Sequence, residues 1–127
     1  MNQKAFTLVE VMIVVAIIAL LAAIAIPNLI RAKVQANETV AQTSLKSIAT
    51  ALENYASIYN IYPTSTSSLL GVTPPYLTTD YFTGLHFGYS YTANLASYTY
   101  LVTAIPSGSN QGTASFTITT GGLLTKN

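Results

Sequence analysis

Residues 6–30 read FTLVEVMIVVAIIALLAAIAIPNLI and are apolar almost throughout. Val11 to Ile26 is an unbroken run of Val, Met, Ile, Ala and Leu, and no residue from Val11 to Ile30 is charged. About 20 residues without charge, at a rise of about 1.5 Å each, match a hydrocarbon core about 30 Å thick. The stretch therefore predicts a membrane-spanning helix.

The composition outside this stretch limits what the chain can bind. Charged residues make up 7% of the 127 residues, against about a quarter in ordinary soluble domains. From Asn60 onward only Asp80 and Lys126 are charged. Nucleic-acid binding needs clustered Lys or Arg, so no nucleic-acid partner is expected. The absence of cysteine excludes disulfides and thiolate metal sites.

Helical periodicity continues beyond the apolar run, which predicts one helix from about Phe6 to about Tyr59. We expect Pro27 to kink it, because proline removes a backbone donor and crowds the preceding turn. The helix should stop near Tyr62-Pro63, since a residue before proline is disfavoured in the α region. The apolar face comprises Leu45, Ile48, Ala49, Leu52, Tyr55, Ala56 and Tyr59, and the polar face Lys46, Thr50, Glu53 and Asn54.

Apolar and polar residues alternate in the last third of the chain, which predicts three or four antiparallel strands. The alternating sets are Phe87, Tyr89 and Tyr91; Tyr98, Tyr100 and Val102; and Phe116 and Ile118. The only long apolar surface available to cover such a sheet is the helix face from Leu45 to Tyr59. We therefore predict an α+β fold in which a small sheet packs on the second half of the helix. The spacing also places Tyr55, Tyr59, Tyr89, Tyr91, Tyr98 and Tyr100 in the core.

The motif Phe6-Thr7-Leu8-Val9-Glu10, directly after Lys4-Ala5, resembles the N-terminus of the type IV pilin superfamily, which includes the pseudopilins of type II secretion systems. The strong resemblance covers about Lys4 to Leu52. It implies a leader peptide at 1–5, a transmembrane and assembly helix at 6–30, an amphipathic helix at 31–62 and a sheet region at 63–127.

The resemblance also implies roles for individual residues. A prepilin peptidase would cut between Ala5 and Phe6 and methylate the new amine of Phe6. The Glu10 carboxylate would pair with the N-terminal ammonium of a neighbouring subunit. The family usually has glycine before the cut, where this chain has Ala5.

The physical chemistry of Glu10 agrees with that role, because a carboxylate in a lipid-embedded helix is costly. Pairing with a neighbour's ammonium offsets the cost only when the subunits have the correct stagger, so the contact would set register. Thr7 to Glu10 also has the spacing of a capping box, in which both side chains satisfy free amides at a helix start. The two roles are compatible.

The resemblance implies a structural filament subunit, not an enzyme, with no cofactor. Its partners would be copies of itself, the prepilin peptidase, the inner-membrane assembly machinery and, before assembly, lipid. The precursor would span the inner membrane once, and the product would be a cell-surface or periplasmic filament. A pseudopilin of a type II secretion system is the alternative within the superfamily. The short, cysteine-free sheet region without acidic C-terminal residues favours a pilus subunit.

Two alternatives come from other classes. The first is a secreted domain with an ordinary signal peptide, cut after Ala23-Ile24-Ala25 so that the mature chain begins at Ile26. The second is a binding module held by a single membrane span. Glu10 beside the apolar run, and helical periodicity that continues past Ile26, argue against the signal peptide.

Residues for catalysis or metal binding are scarce. His86 is the only histidine, and the chain has four carboxylates. There is no nucleophile-elbow motif, and no acidic residue follows Asp80 to hold calcium. We predict no catalytic residue and no metal site, and we expect His86 to be a surface or strand residue.

Overall fold

A computed structural model describes residues 5–127, and Met1–Lys4 of the predicted leader lie outside the described residues. Two helices precede four strands: α1 (Leu8–Tyr59), α2 (Ser67–Leu70), β1 (Tyr89–Ala96), β2 (Thr99–Pro106), β3 (Phe116–Thr119) and β4 (Leu123–Lys126). The chain divides into two compact units, the first ending at Ala32 and the second covering Lys33–Asn127. The α+β fold class is confirmed.

The first unit is helical from Leu8 onward, and its residues from 5 to 32 bury no large apolar side chain. An 18-residue window of α1 reaches a mean hydropathy of 3.0, and none of that window is buried. By length and composition this part of α1 can cross a membrane. Pro27 lies within α1, and the helix continues through it. The bend at Pro27 stays a prediction.

In the second unit, β1 to β4 form an antiparallel meander in the order β1-β2-β3-β4. The alternation predicted from sequence holds within the strands, because every second side chain is buried along β2 and β3. These side chains pack against α1 residues 41–52. The largest fully buried side chains are Tyr89, Phe116, Leu45, Ile48, Leu52, Leu69, Ile118 and Val102.

The end of α1 at Tyr59 confirms the predicted extent of the helix, and it lies three residues before Tyr62. Asn60 has a φ of 59°, and its N–H donates to the carbonyl of Ala56 at 2.8 Å. A left-handed residue directly after the last turn is a common way to end a helix, and asparagine tolerates that conformation. The short helix α2 follows at Ser67–Leu70, and its Leu69 is fully buried.

Three of the six tyrosines predicted to be buried are buried: Tyr89, Tyr91 and Tyr100. Tyr55 is half-buried, but the prediction was wrong for Tyr59 and Tyr98, which are 51% and 77% exposed. Tyr59 is the last residue of α1, beyond the part of the helix that the sheet covers. Tyr98 lies in the two-residue turn between β1 and β2, where Ala96 pairs with Thr99.

Phe87 was predicted to begin the first strand and instead lies in a turn. Its φ is 51° and that of Gly88 is 79°, while His86 and Tyr89 exchange backbone hydrogen bonds of 2.9 and 3.1 Å around them. Two successive positive φ values across a two-residue loop are typical of a type I′ turn. The turn leaves the Phe87 ring 67% exposed.

Candidate functional site

The helix start at Thr7–Glu10 has the geometry of a capping box. The Thr7 hydroxyl accepts a hydrogen bond from the Glu10 amide at 3.2 Å, and Glu10 Oε2 accepts from the Thr7 amide at 2.8 Å. The Thr7 hydroxyl also donates to the same carboxylate oxygen at 2.7 Å. The predicted cap is therefore confirmed, and it fixes the Glu10 side chain against the first turn.

Only one oxygen of the Glu10 carboxylate takes part in this cap. Within residues 5–127, Oε1 accepts no hydrogen bond, and the side chain is exposed. A carboxylate has room for about four hydrogen bonds across its two oxygens. Within the described residues, the Glu10 carboxylate thus combines a fixed orientation with one acceptor oxygen that is free. A cation-binding site has both features.

An apolar groove of about 280 Å³ lies beside this carboxylate, lined by Phe6, Glu10, Val11, Val14 and Val15. Among the described residues of its wall, Glu10 supplies the only ionisable group. Phe6 is 87% exposed and precedes the helix. The Ala5–Phe6 bond, predicted to be the peptidase cut, therefore lies in exposed, non-helical chain.

The apolar surface around the groove extends along the first unit from Phe6 to Ile30. Exposed contiguous apolar area on this scale marks a membrane or protein contact. The exposed large side chains are Phe6, Leu8, Val9, Val11, Met12, Ile13, Val14, Val15, Ile17, Ile18, Leu20, Leu21, Ile24, Ile26, Leu29 and Ile30.

Two further carboxylates of α1 have partners that sequence reasoning missed. Glu53, assigned above to the polar face, accepts hydrogen bonds from the hydroxyls of Tyr62 and Tyr100 and from the Gly121 amide, each at 3.1 Å. The assignment was wrong, because Glu53 is half-buried and joins α1 to the turn between β3 and β4. Nothing in the local sequence pattern predicts this contact.

Glu38 makes a second contact between α1 and the sheet region, about three fifths of the way along α1. Its Oε1 accepts from the Thr113 amide at 3.0 Å and the Thr113 hydroxyl at 2.8 Å, and Lys126 lies 3.3 Å from Oε2. The two bonds from Thr113, and to a smaller extent Lys126, lower the pKa of Glu38 below its ordinary value. Next to it, the buried Asn37 amide donates to the Gln111 carbonyl at 2.9 Å.

The residues considered for catalysis do not assemble into a recognised site. Asp80 accepts hydrogen bonds from the Phe82 amide and the Thr83 hydroxyl, at 2.9 and 2.7 Å, which lower its pKa. His86 is half-buried against Tyr81 and Tyr91, not on the surface. Among residues 5–127, no three His, Cys, Asp or Glu side chains come close enough to hold a metal ion.

The N-terminus of the chain matches the sequence model of a known family. Residues 1–26 match the family model described as the prokaryotic N-terminal methylation motif. The match includes Ala5, Phe6 and Glu10.

Relatives are found among both pili and secretion systems. The chain is 42% identical over 71 residues to the type IV wide pilus major component PilA4 of Thermus thermophilus, covering 56% of this chain and 54% of the relative. It is 48% identical over 56 residues to the type IV major pilin protein PilA of Myxococcus xanthus, covering 44% and 26%. It is 40% identical over 68 residues to the type II secretion system core protein G of Pseudomonas aeruginosa, covering 54% and 48%.

The chain spans about half the length of the first and third of these relatives and about a quarter of the second. The matches confirm the resemblance to type IV pilins and pseudopilins that the motif Phe6–Glu10 indicated. By name, the first relative is a pilus component, the second a pilin and the third a core protein of a secretion system.

Proposed function

We propose that this chain is the precursor of a structural subunit that is cleaved, N-methylated and polymerised through its N-terminal helix into a type IV pilus-like filament. Prepilin peptidase would cut between Ala5 and Phe6 and methylate the amine of Phe6. The precursor would reside in the inner membrane, and the product in a filament at the cell surface or in the periplasm. The chain would act as a building unit and carry out no catalysis.

The observation that carries this proposal is that, within residues 5–127, one oxygen of Glu10 accepts no hydrogen bond, on a part of α1 (residues 8–30) that is otherwise uncharged, apolar and exposed. In lipid, an unpaired carboxylate near the end of a span costs free energy. Opposite the ammonium of another copy, the same carboxylate gains a charge-assisted hydrogen bond, which is stronger than a neutral one. A filament supplies that ammonium because every copy, once cut before Phe6, carries one.

The apolar surface alone does not explain assembly. Moving a helix from lipid to a bundle of similar helices changes little apolar exposure, so association in membranes depends on close packing and polar contacts. We infer that the apolar side chains supply contact area and that Glu10 selects the stagger between copies. The copies would be inserted into the filament by assembly machinery in the inner membrane.

A pseudopilin of a type II secretion system is the second candidate, because the relatives include core proteins G of such systems as well as pilins. The N-terminal site would work in the same way in both. Deletion of the gene distinguishes them: loss of surface filaments supports a pilus subunit, and loss of protein export with surface filaments retained supports a pseudopilin.

The test of the Glu10 role uses two substitutions. Glu10→Gln keeps a capping-box side chain but removes the charge, whereas Glu10→Ala removes both. We expect both variants to insert and to be cleaved, and both to yield about tenfold fewer sheared filaments than wild type, as expected for the loss of one charged hydrogen bond of about 1.5 kcal/mol or more. The readout is the subunit content of the sheared filament fraction against that of the membrane.

The matched pair separates the two roles of the side chain. If Glu10→Gln assembles as wild type does and only Glu10→Ala fails, the cap is what matters and the charge pairing is wrong. Normal filament yield from both variants would remove Glu10 from assembly altogether.

A further inference from the structure

The sheet has two open edges, β1 and β4, because the strand order is β1-β2-β3-β4. Natural proteins protect exposed edges with charged residues, proline or bulges. The sequence of β1 is YSYTANLA, which contains none of these residues, and its eight residues pair with β2 without a break in register. An unprotected edge of this length favours pairing with another strand.

Backbone groups on the outer side of β1 can be identified from the hydrogen bonds at its start. Ser107 N–H donates to the Gly88 carbonyl, so Gly88 faces β2, whereas Tyr89 pairs with His86 on the other side. Successive residues alternate in direction. The N–H and C=O groups of Tyr91, Ala93 and Leu95 therefore face outward, and within the described chain no backbone group of another segment bonds to them.

The outer side of β4 is open in the same way. Ser115 and Asn127 exchange hydrogen bonds of 3.1 and 2.9 Å, so by alternation Leu124 and Lys126 direct their N–H and C=O groups outward. The Lys126 ammonium is engaged by Glu38 at 3.3 Å.

The directions of the two edge strands allow β4 of one copy to pair with β1 of another. Each strand of the meander is antiparallel to the next, so β4 is antiparallel to β1 of the same chain. A second copy in the same orientation, placed beside β4, presents its own β1 antiparallel to that β4. We propose that β4 of one subunit pairs with β1 of the next, so that the sheet continues from copy to copy.

A row of threonines suggests the register of this contact. Thr92 pairs with Thr103, Thr103 with Thr117, and Thr117 with Thr125, so each strand contributes one threonine. Threonines opposite one another stabilise a sheet. Placing Thr125 opposite Thr92 of the next copy continues the row and brings the outward groups of Leu124 and Lys126 against those of Ala93 and Tyr91.

This contact rests on the proposed function, because filament formation is what holds copies in a common orientation. The Glu10 contact would set the stagger of the copies, and the strand edges would join their sheets. The occupant of each edge is therefore another copy of this chain.

Cysteine cross-linking tests the contact directly, because the chain has no cysteine of its own. Thr92 and Thr125 are exposed and lie three strands apart in one chain, about 14 Å at about 4.8 Å per strand. A disulfide needs Cα atoms within about 7 Å, so any bond in the Thr92→Cys/Thr125→Cys variant joins two copies. We expect oxidised filaments of this variant to give a ladder of oligomers on a non-reducing gel.

Two further double-cysteine variants test the register of the contact and control for nonspecific cross-linking. Asn94→Cys/Thr125→Cys reports the contact shifted by two residues. Thr103→Cys/Thr125→Cys places one thiol on the central strand β2 and is the matched control, which we expect to remain monomeric. The edge contact is wrong if filaments form but neither the Thr92 nor the Asn94 pair gives more ladder than the control.

Proline substitution provides a second readout. Ala93→Pro removes an outward N–H, and proline is tolerated at such edge positions, whereas Asn94→Pro removes an N–H that faces β2. We expect Ala93→Pro to keep the wild-type circular dichroism spectrum and to lower filament yield about threefold or more, and Asn94→Pro to unfold the sheet. Wild-type yield from Ala93→Pro would overturn the proposal while leaving the proposed function intact; a wild-type chain that forms no filament would overturn both.

Discussion

At the scale of single residues, every carboxylate of this chain has a defined hydrogen-bonding partner. The four are Glu10, Glu38, Glu53 and Asp80, and each accepts at least two hydrogen bonds. In a chain with so few charges, each of these four carboxylates contributes to a specific contact. Glu38 and Glu53 join the helix to the sheet region, and Asp80 orders a loop. Within residues 5–127, only Glu10 has a carboxylate oxygen that accepts no hydrogen bond on an exposed surface.

The hydrogen bonds accepted by Glu53 lead to a prediction about the stability of the fold. Tyr100 is 2% exposed, and its hydroxyl donates to Glu53 at 3.1 Å. Glu53→Ala leaves that buried hydroxyl without its acceptor, which should lower the free energy of unfolding by about 1–3 kcal/mol. The measurement is urea unfolding of the full chain in detergent micelles, followed by tyrosine fluorescence.

The matched control is Asn54→Ala, at the neighbouring exposed position, which should not lower stability. Equal stability of Glu53→Ala and Asn54→Ala would show that the hydrogen bonds to Glu53 contribute nothing to the fold.

The hydrogen bonds of Glu10 could be predicted from the sequence, but those of Glu38 and Glu53 could not, for a physical reason. The partner of Glu10 lies three residues away, so local spacing reveals the capping box. The partners of Glu38 and Glu53 lie up to 88 and 68 residues away along the chain. Such contacts depend on how the sheet docks on the helix, which hydrophobic periodicity does not specify.

At the scale of elements, periodicity predicted the helix and the first three strands, because each has one buried face. The residues wrongly assigned to strands lie in turns. Phe87 and Tyr98 continue the alternation of their strands in sequence, yet each lies in a two-residue turn. Alternation shows that a strand is present but does not mark where it ends.

The loop between β2 and β3 provides the prediction at this scale. A Cβ atom added to Gly112 would overlap the ring and hydroxyl of Tyr89. Tyr89 cannot move aside, because it is fully buried and its hydroxyl donates to the Ala114 carbonyl at 2.9 Å. Gly112→Ala should therefore destabilise the chain by about 1–3 kcal/mol, as overpacking typically does.

Gly108→Ala is the control in the same loop, since a Cβ there meets no atom within 4 Å. Thermal unfolding of both variants, followed by circular dichroism, compares them. A midpoint for Gly112→Ala equal to that of Gly108→Ala would contradict the close packing of this loop on Tyr89.

At the scale of the whole molecule, the two units carry different kinds of surface. The first unit exposes apolar side chains with one carboxylate at the start of the helix, and the second has a closed core and two open strand edges. Sequence predicted the first surface completely, because it depends on composition and on a local motif. The open edges of the sheet became apparent only from strand order and hydrogen-bond direction.

The central claim is that Glu10 pairs with an amine created at Phe6, and the mass of the filament subunit tests it most directly. We predict that the subunit in purified filaments begins at Phe6 and carries a methyl group on the Phe6 amine. Intact-mass and N-terminal fragment mass spectra measure both. A filament subunit that retains Met1, or one that begins at Ile26, would contradict the account, because neither has a free amine at Phe6.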